Sequence, residues 1–138
     1  MTKKVIFIIF IATLCASLSA QKSTTYQEKI WIDSIFNVNF NKMQYAVDSS
    51  KMYDNYVDRV FVYFLSFISG IECTTIDYAG FCYFNKNKLE EWERWYEFNK
   101  NQISKETVLW GLSVLRAENL NQQQLDSLRS LRIPLKKE

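Results

Sequence analysis

The sequence predicts an all-α fold: a single small domain of five or six helices following an N-terminal leader. Three observations carry this. The chain has only three Gly and one Pro in 138 residues, which leaves little material for hairpins and tight turns. It is rich in Leu, Lys, Glu, Gln and Asn, and its apolar residues recur at helical spacing. About 118 residues remain once the leader is set aside, enough for one domain.

The leader reads MTKKVIFIIFIATLCASLSAQK. Lys3 and Lys4 form a positive start, Val5 to Leu14 is apolar, and Ala16, Ser17, Ser19 and Ala20 are small, which is the layout of a secretory signal peptide. A transmembrane helix needs about 20 apolar residues, more than this run supplies. Cleavage is expected after Ala20, giving a signal peptide over 1–20 and one helical domain over 21–138, with no transmembrane segment left. Lipidation at Cys15 is the rival processing route, but Leu14 stands where a lipobox places a small residue. Losing Lys3 and Lys4 leaves 15 basic against 15 acidic residues. A neutral mature chain gives little support to nucleic-acid or anionic-membrane binding, which rests on clustered Lys and Arg; no nucleic-acid partner is expected.

Ser23-Thr24-Thr25 can cap a first helix over 26–36, with Ile30, Trp31 and Ile35 as its apolar stripe. The Asn-rich 37–41 reads as a break, followed by a weaker helix over 40–47 on Met43 and Val47 and a turn at Asp48-Ser49-Ser50. Apolar residues at 53, 56, 57, 60, 61, 64, 67 and 68 predict a helix over 53–68. Its second half, VFVYFLSFI, is apolar almost all round and so is expected at the centre, with Gly70 placed to end it. The stretch IECTTIDYAGFCYF loses the helical period and reads as a long connection with some extended structure. Asn85 or Asn87 can cap a helix carrying Leu89, Trp92, Trp95, Tyr96 and Asn99. Ser104 can cap the next, ISKETVLWGLSVLR, with Glu106 favourably placed in its first turn and Val108, Leu109, Leu112 and Leu115 along it. Asn121 can cap a last helix on Leu125, Leu128 and Leu131, ending before Pro134.

The chemistry open to this chain is narrow. It has no histidine, hence no common general base, no usual Ser or Cys triad and not the commonest metal ligand. Glu90, Glu91, Glu93 and Glu97 crowd one helix, but Lys86, Lys88, Arg94 and Lys100 are interleaved, as on a solvated face with ion pairs. No catalytic residue, cofactor or metal site is assigned. Cys73 and Cys82 are the cysteines left after cleavage, and in an exported chain such a pair suggests a disulfide; two buried thiols are the alternative. Leu89, Trp92 and Tyr96 stand at i, i+3 and i+7 with Trp95 beside them. Rings at this spacing are most often core. Four Trp, eight Tyr and ten Phe in so short a chain nevertheless make Trp92, Trp95 and Tyr96 the candidate aromatic binding face.

The run FLSFISGIE…DYAGFCYFNKNKLEEWERWYEFNKNQIS resembles the closing segment of some bacterial HEAT-repeat-like helical proteins. There, a helix ending in a Leu-Thr-Gly-like turn leads through a Phe/Tyr-Gly loop to a helix with two tryptophans three apart and an Asn-Lys end. The matching positions are Ile68-Ser69-Gly70, Ala79-Gly80-Phe81, Trp92, Trp95 and Asn99-Lys100, within residues 64–104. The resemblance implies helical-pair packing and a binding rather than a catalytic protein. The chain departs from it in having room for one or two helix pairs, and two cysteines in the loop. The leader is similar to those of small exported proteins of the Bacteroidetes. The expected function is a small exported non-enzymatic binding protein, periplasmic or secreted, in its sharpest form an immunity protein or inhibitor whose partner is another protein. The alternatives are a carboxylate-dependent cell-wall glycan hydrolase, which needs two carboxyls at a defined separation, and a structural envelope subunit.

Overall fold

A computed structural model of the chain describes residues 25–50, 57–77, 80–117 and 120–133. The leader with Cys15 and residues 21–24 after it, including Ser23 and Thr24, lie outside the described residues, as do 51–56, Tyr78 and Ala79, 118–119 and the tail from Pro134.

Helix α1 runs unbroken over Tyr26–Ser49. Thr25 caps it in a full capping box: its side chain accepts from the Glu28 N–H, and the Glu28 carboxylate accepts from the Thr25 N–H. The break expected over the Asn-rich 37–41 does not exist. Asn costs only tenths of a kcal/mol in a helix, and the Asn39 side chain donates to the Ile35 carbonyl one turn back. Against that small cost stands a continuous buried stripe of Ile32, Phe36, Phe40, Met43 and Ala46. This stripe also corrects the expected face: Ile30 is exposed, while Trp31 and Ile35 are half-buried at its edge.

Helix α2 is Arg59–Ser69, shorter than expected. Asp58, in extended backbone, caps it by accepting from the Val60 and Phe61 N–H groups. Val57 just before the cap and Val62 in the next turn are both buried, at the positions of a hydrophobic staple. The apolar signal at 57 is therefore a cap signal, although it reads as helix. Gly70 ends α2 as expected, in the left-handed region at φ 68°.

The connection contains a two-residue antiparallel pair, β1 (Thr75–Ile76) and β2 (Cys82–Tyr83), with Thr75 opposite Tyr83 and Ile76 opposite Cys82. Asn85 caps α3 (Lys86–Asn99), which passes into a 3₁₀ turn at Lys100–Gln102. Ser104 caps α4 (Lys105–Leu115), and Asn121 caps α5 (Gln122–Ser130) in a capping box with Gln124. Leu109 is exposed rather than part of the α4 stripe, which is Val108, Gly111 and Leu112. The fold is all-α, a small domain of five described helices with one minute hairpin.

Helix α2 is the central element, packed against α3, α4, α5 and β2, while α1 packs on α3 and α4. Aromatic rings fill the space between. Phe36 stacks on Tyr96 at 4.1 Å and meets Phe61 edge-on at 5.2 Å, with Phe40 against both partners. Such pairs add about 0.5–1.5 kcal/mol each beyond the area they bury. Helix α4 approaches α2 closely only because residue 111 is Gly. A Cβ there would stand 2.5 Å from Cε2 and 2.7 Å from Cδ2 of Phe64, which is fully buried. Helix propensity alone makes Gly111→Ala stabilising by about 1 kcal/mol, whereas overpacking costs about 1–3 kcal/mol. The expected outcome is a net loss of up to about 2 kcal/mol in urea unfolding. An unchanged or raised melting temperature would show that Phe64 moves aside.

Candidate functional site

Trp92 and Trp95 are completely buried and Tyr96 is 2 % exposed. The reading of these three residues as a binding face is thus corrected: they are core, because their stripe on α3 is the one that meets α1 and α2. The Tyr96 hydroxyl donates to Asp33 Oδ1 on α1 at 2.5 Å. Burial first, and the bond to Asp33 next, push that phenol well above its ordinary range. Rings that do reach solvent include Tyr26, Tyr45, Phe98 and Trp110. No periodicity argument distinguishes these from the buried ones, since the exposed set does not share one helix face.

The polar ends of the two indoles have a definite task. Trp92 Nε1–H donates to the Ile71 carbonyl at 3.3 Å, and Trp95 Nε1–H donates to the Ile133 carbonyl at 2.9 Å. Ile133 in turn donates its N–H to the Ile68 carbonyl at 2.7 Å, satisfying a C-terminal carbonyl that α2 leaves unpaired. Two chain segments, one just after α2 and one just after α5, are thereby held on either side of the α2 terminus.

The hairpin beyond Ile71 is closed across its own two arms by a covalent link and held to α2 by two contacts. Cys73 and Cys82 form a disulfide, with Cα atoms 5.5 Å apart. The Tyr63 hydroxyl donates to the Gly80 carbonyl, and the Arg59 guanidinium lies 4.3 Å over the Phe81 ring. Burial, helped by the Asp77 carboxylate and opposed by Arg59, raises the Tyr63 phenol above its ordinary range. Inside the hairpin, Asp77 accepts from the Phe81 N–H at 2.8 Å and from the Tyr83 hydroxyl at 3.1 Å.

Between these parts lies an open cleft of about 780 Å³. One wall is the outer face of α2, where Tyr63, Ser66 and Phe67 stand at i, i+3 and i+4. The facing wall is the start of the hairpin, from Glu72 through Cys73 to Thr75 and Ile76. Arg129 and Arg132 reach in from the end of α5. Ile76 is 60 % exposed although apolar. Sequence reading missed this site because its residues come from three separated segments, none with a motif.

The clustered glutamates of α3 are a solvated face. Lys88 pairs with Glu91 at 3.1 Å and Lys100 with Glu97 at 2.7 Å, each at i, i+3. Burial and the neighbouring Glu90 raise the Glu93 carboxyl above its usual range, yet neither lines the cleft. Among the described residues no group of three or more His, Cys, Asp and Glu side chains could hold a metal, and no helix is long and apolar enough to cross a membrane.

A comparison with protein-family models, with curated proteins and with solved structures finds no match for the chain.

Two measurements follow from the geometry. Trp95→Phe keeps most of the ring but strands the Ile133 carbonyl, at a cost of about 1–3 kcal/mol in denaturant unfolding, whereas Trp92→Ala should cost about 3–5 kcal/mol. Equal, near-zero losses would mean that the indoles anchor nothing. The Cys73→Ser, Cys82→Ser double variant should lose roughly 2–3 kcal/mol in the chain-entropy account, with helix content by circular dichroism unchanged. A drop in helix content would show that the bridge supports the whole domain and not the hairpin alone.

Proposed function

We propose that the protein is a small exported, non-enzymatic binding protein, in its sharpest form an immunity protein or inhibitor of the bacterial periplasm. It binds another protein through the cleft between α2 and the disulfide-closed hairpin. The observation that carries this reading is the make-up of that cleft: apolar surface from Phe67 and Ile76, polar edges, and firmly anchored walls. Preformed concave sites of this kind suit recognition. The disulfide accords with an oxidising compartment, and the HEAT-like resemblance points the same way, toward helical packing used for binding. A glycosidase needs two carboxyls across its sugar site, and the cleft lining contributes one, Glu72.

Affinity capture from periplasmic extract tests the reading when wild type is compared with Ile76→Lys, a change at an exposed position that spares the core. A protein retained in near-stoichiometric amount by wild type, and at least tenfold less by the variant, is the expected result. Absence of any such protein, or equal retention by both, overturns the proposal.

A further inference from the structure

Building on that reading, we infer that the cleft is specific for an acidic–apolar segment of its protein partner, seating a carboxylate on Arg132 and an apolar side chain between Phe67 and Ile76.

Charge sets the direction. The cleft lining carries two arginines against one carboxylate, Glu72. Arg129 is already engaged, its Nη1 being 3.0 Å from Asp126 Oδ1 on the same helix. Arg132 has no ion-pair partner among the described residues and is exposed. Its fork of donors matches a carboxylate in two parallel hydrogen bonds.

Position makes Arg132 more than a surface charge. Its guanidinium lies against Gly70, in the space a Cβ at that residue would occupy. The next residue is tied through both of its backbone polar groups, Ile133 N–H to the Ile68 carbonyl and Ile133 carbonyl to the Trp95 indole. The backbone that carries Arg132 is therefore fixed at the cleft, and its guanidinium starts from a defined place beside Gly70, which lowers the ordering cost of pairing. A cation beside the α2 C-terminus would also be mildly favourable through the helix dipole alone. That effect acts on stability and is indifferent to what enters the cleft, so it can be separated experimentally.

Glu72 gives the inference a second, opposite sign. As the one acid of the lining it opposes an incoming carboxylate, so neutralising it should strengthen the same interaction that neutralising Arg132 weakens.

The test selects a displayed library of random heptapeptides on the full exported chain, then measures the enriched peptides in solution by fluorescence anisotropy. Enrichment of Asp or Glu beside apolar residues is expected. Binding should fall tenfold or more with Arg132→Gln, fall less with Arg132→Lys, rise with Glu72→Gln, and weaken as salt is added. Melting temperatures of the three variants should stay close to wild type, which separates recognition from the dipole effect. Inorganic phosphate and vesicles containing anionic lipid serve as competitors. Displacement of the peptide by either at low concentration would assign the site to that anion and overturn the inference. Enrichment of basic or uncharged peptides, or equal binding by Arg132→Gln, also overturns it. If a protein partner is captured but is insensitive to Arg132→Gln, this inference fails while the binding function stands. If no partner is captured at all, the binding function itself fails.

Discussion

Two indole N–H groups determine where the rest of this molecule goes. Any helix ends with carbonyls that no further turn can satisfy, and at the end of α2 Ile68, Ser69 and Ile71 are buried. Ser69 Oγ donates to the Leu65 carbonyl and accepts from the Ile71 N–H, Gly70 N–H reaches the Ser66 carbonyl, and Ile133 N–H reaches that of Ile68. These bonds hold only if residues 71 and 133 remain beside the helix end. Trp92 and Trp95, three residues apart on α3, grip the carbonyls of those two residues. A Phe at either position would fill much of the same volume without fixing either segment. The tryptophan pair is a core feature whose polar handles do the positioning.

This explains how much could be read in advance. Caps were legible because their chemistry is local: Thr25, Asn85, Ser104 and Asn121 each sit where a short polar side chain can accept from an N–H two or three residues on. The end of α2 at Gly70 and the departure from helical period over 71–84 were legible for the same reason, as was the pairing of Cys73 with Cys82. The unbroken α1 was not. Asn37, Asn39 and Asn41 weigh against a helix when counted by propensity, and the stripe from Ile32 to Ala46 that outweighs them takes effect only when α3 and α4 are in place. Burial within α3 was half legible: spacing put Trp92 and Tyr96 on one face, but nothing in one helix says whether that face meets solvent or α2. The cleft was not legible at all, because residues near 66, 75 and 132 become neighbours only through bonds between distant backbones.

The charged residues divide along the same line. Those most visible in the sequence, the glutamates and lysines of α3, form i, i+3 pairs at the surface, of a kind that contributes little to stability. Their work is to keep the outer face of α3 wet, which helps orient its buried face inward. Charges with a defined tertiary setting are scattered along the sequence. Asp58 caps α2 and lies 3.7 Å from Arg116, Arg59 covers Phe81, Asp77 organises the hairpin, and Arg132 lies against Gly70. The charge cluster of this chain thus marks a solvated surface, while single charges beside a glycine or a turn carry its tertiary contacts.

The construction of the cleft follows from these constraints and bears on its use. Its hairpin wall has only two residue pairs of sheet, too few to be stable by itself. The wall persists because the disulfide closes it on itself, the Tyr63 hydroxyl and the Arg59–Phe81 contact tie it to α2, and Trp92 holds its root. The opposite edge persists because Trp95 holds Ile133. Ordering of both walls is therefore accomplished during folding, in the core, and under the proposed function would not have to be accomplished again on binding. A domain of this size has little surface to devote to recognition. Fixing short segments from inside lets a few side chains present a shaped surface, and the aromatic content that first suggested a binding face instead holds in place the residues that line the cleft.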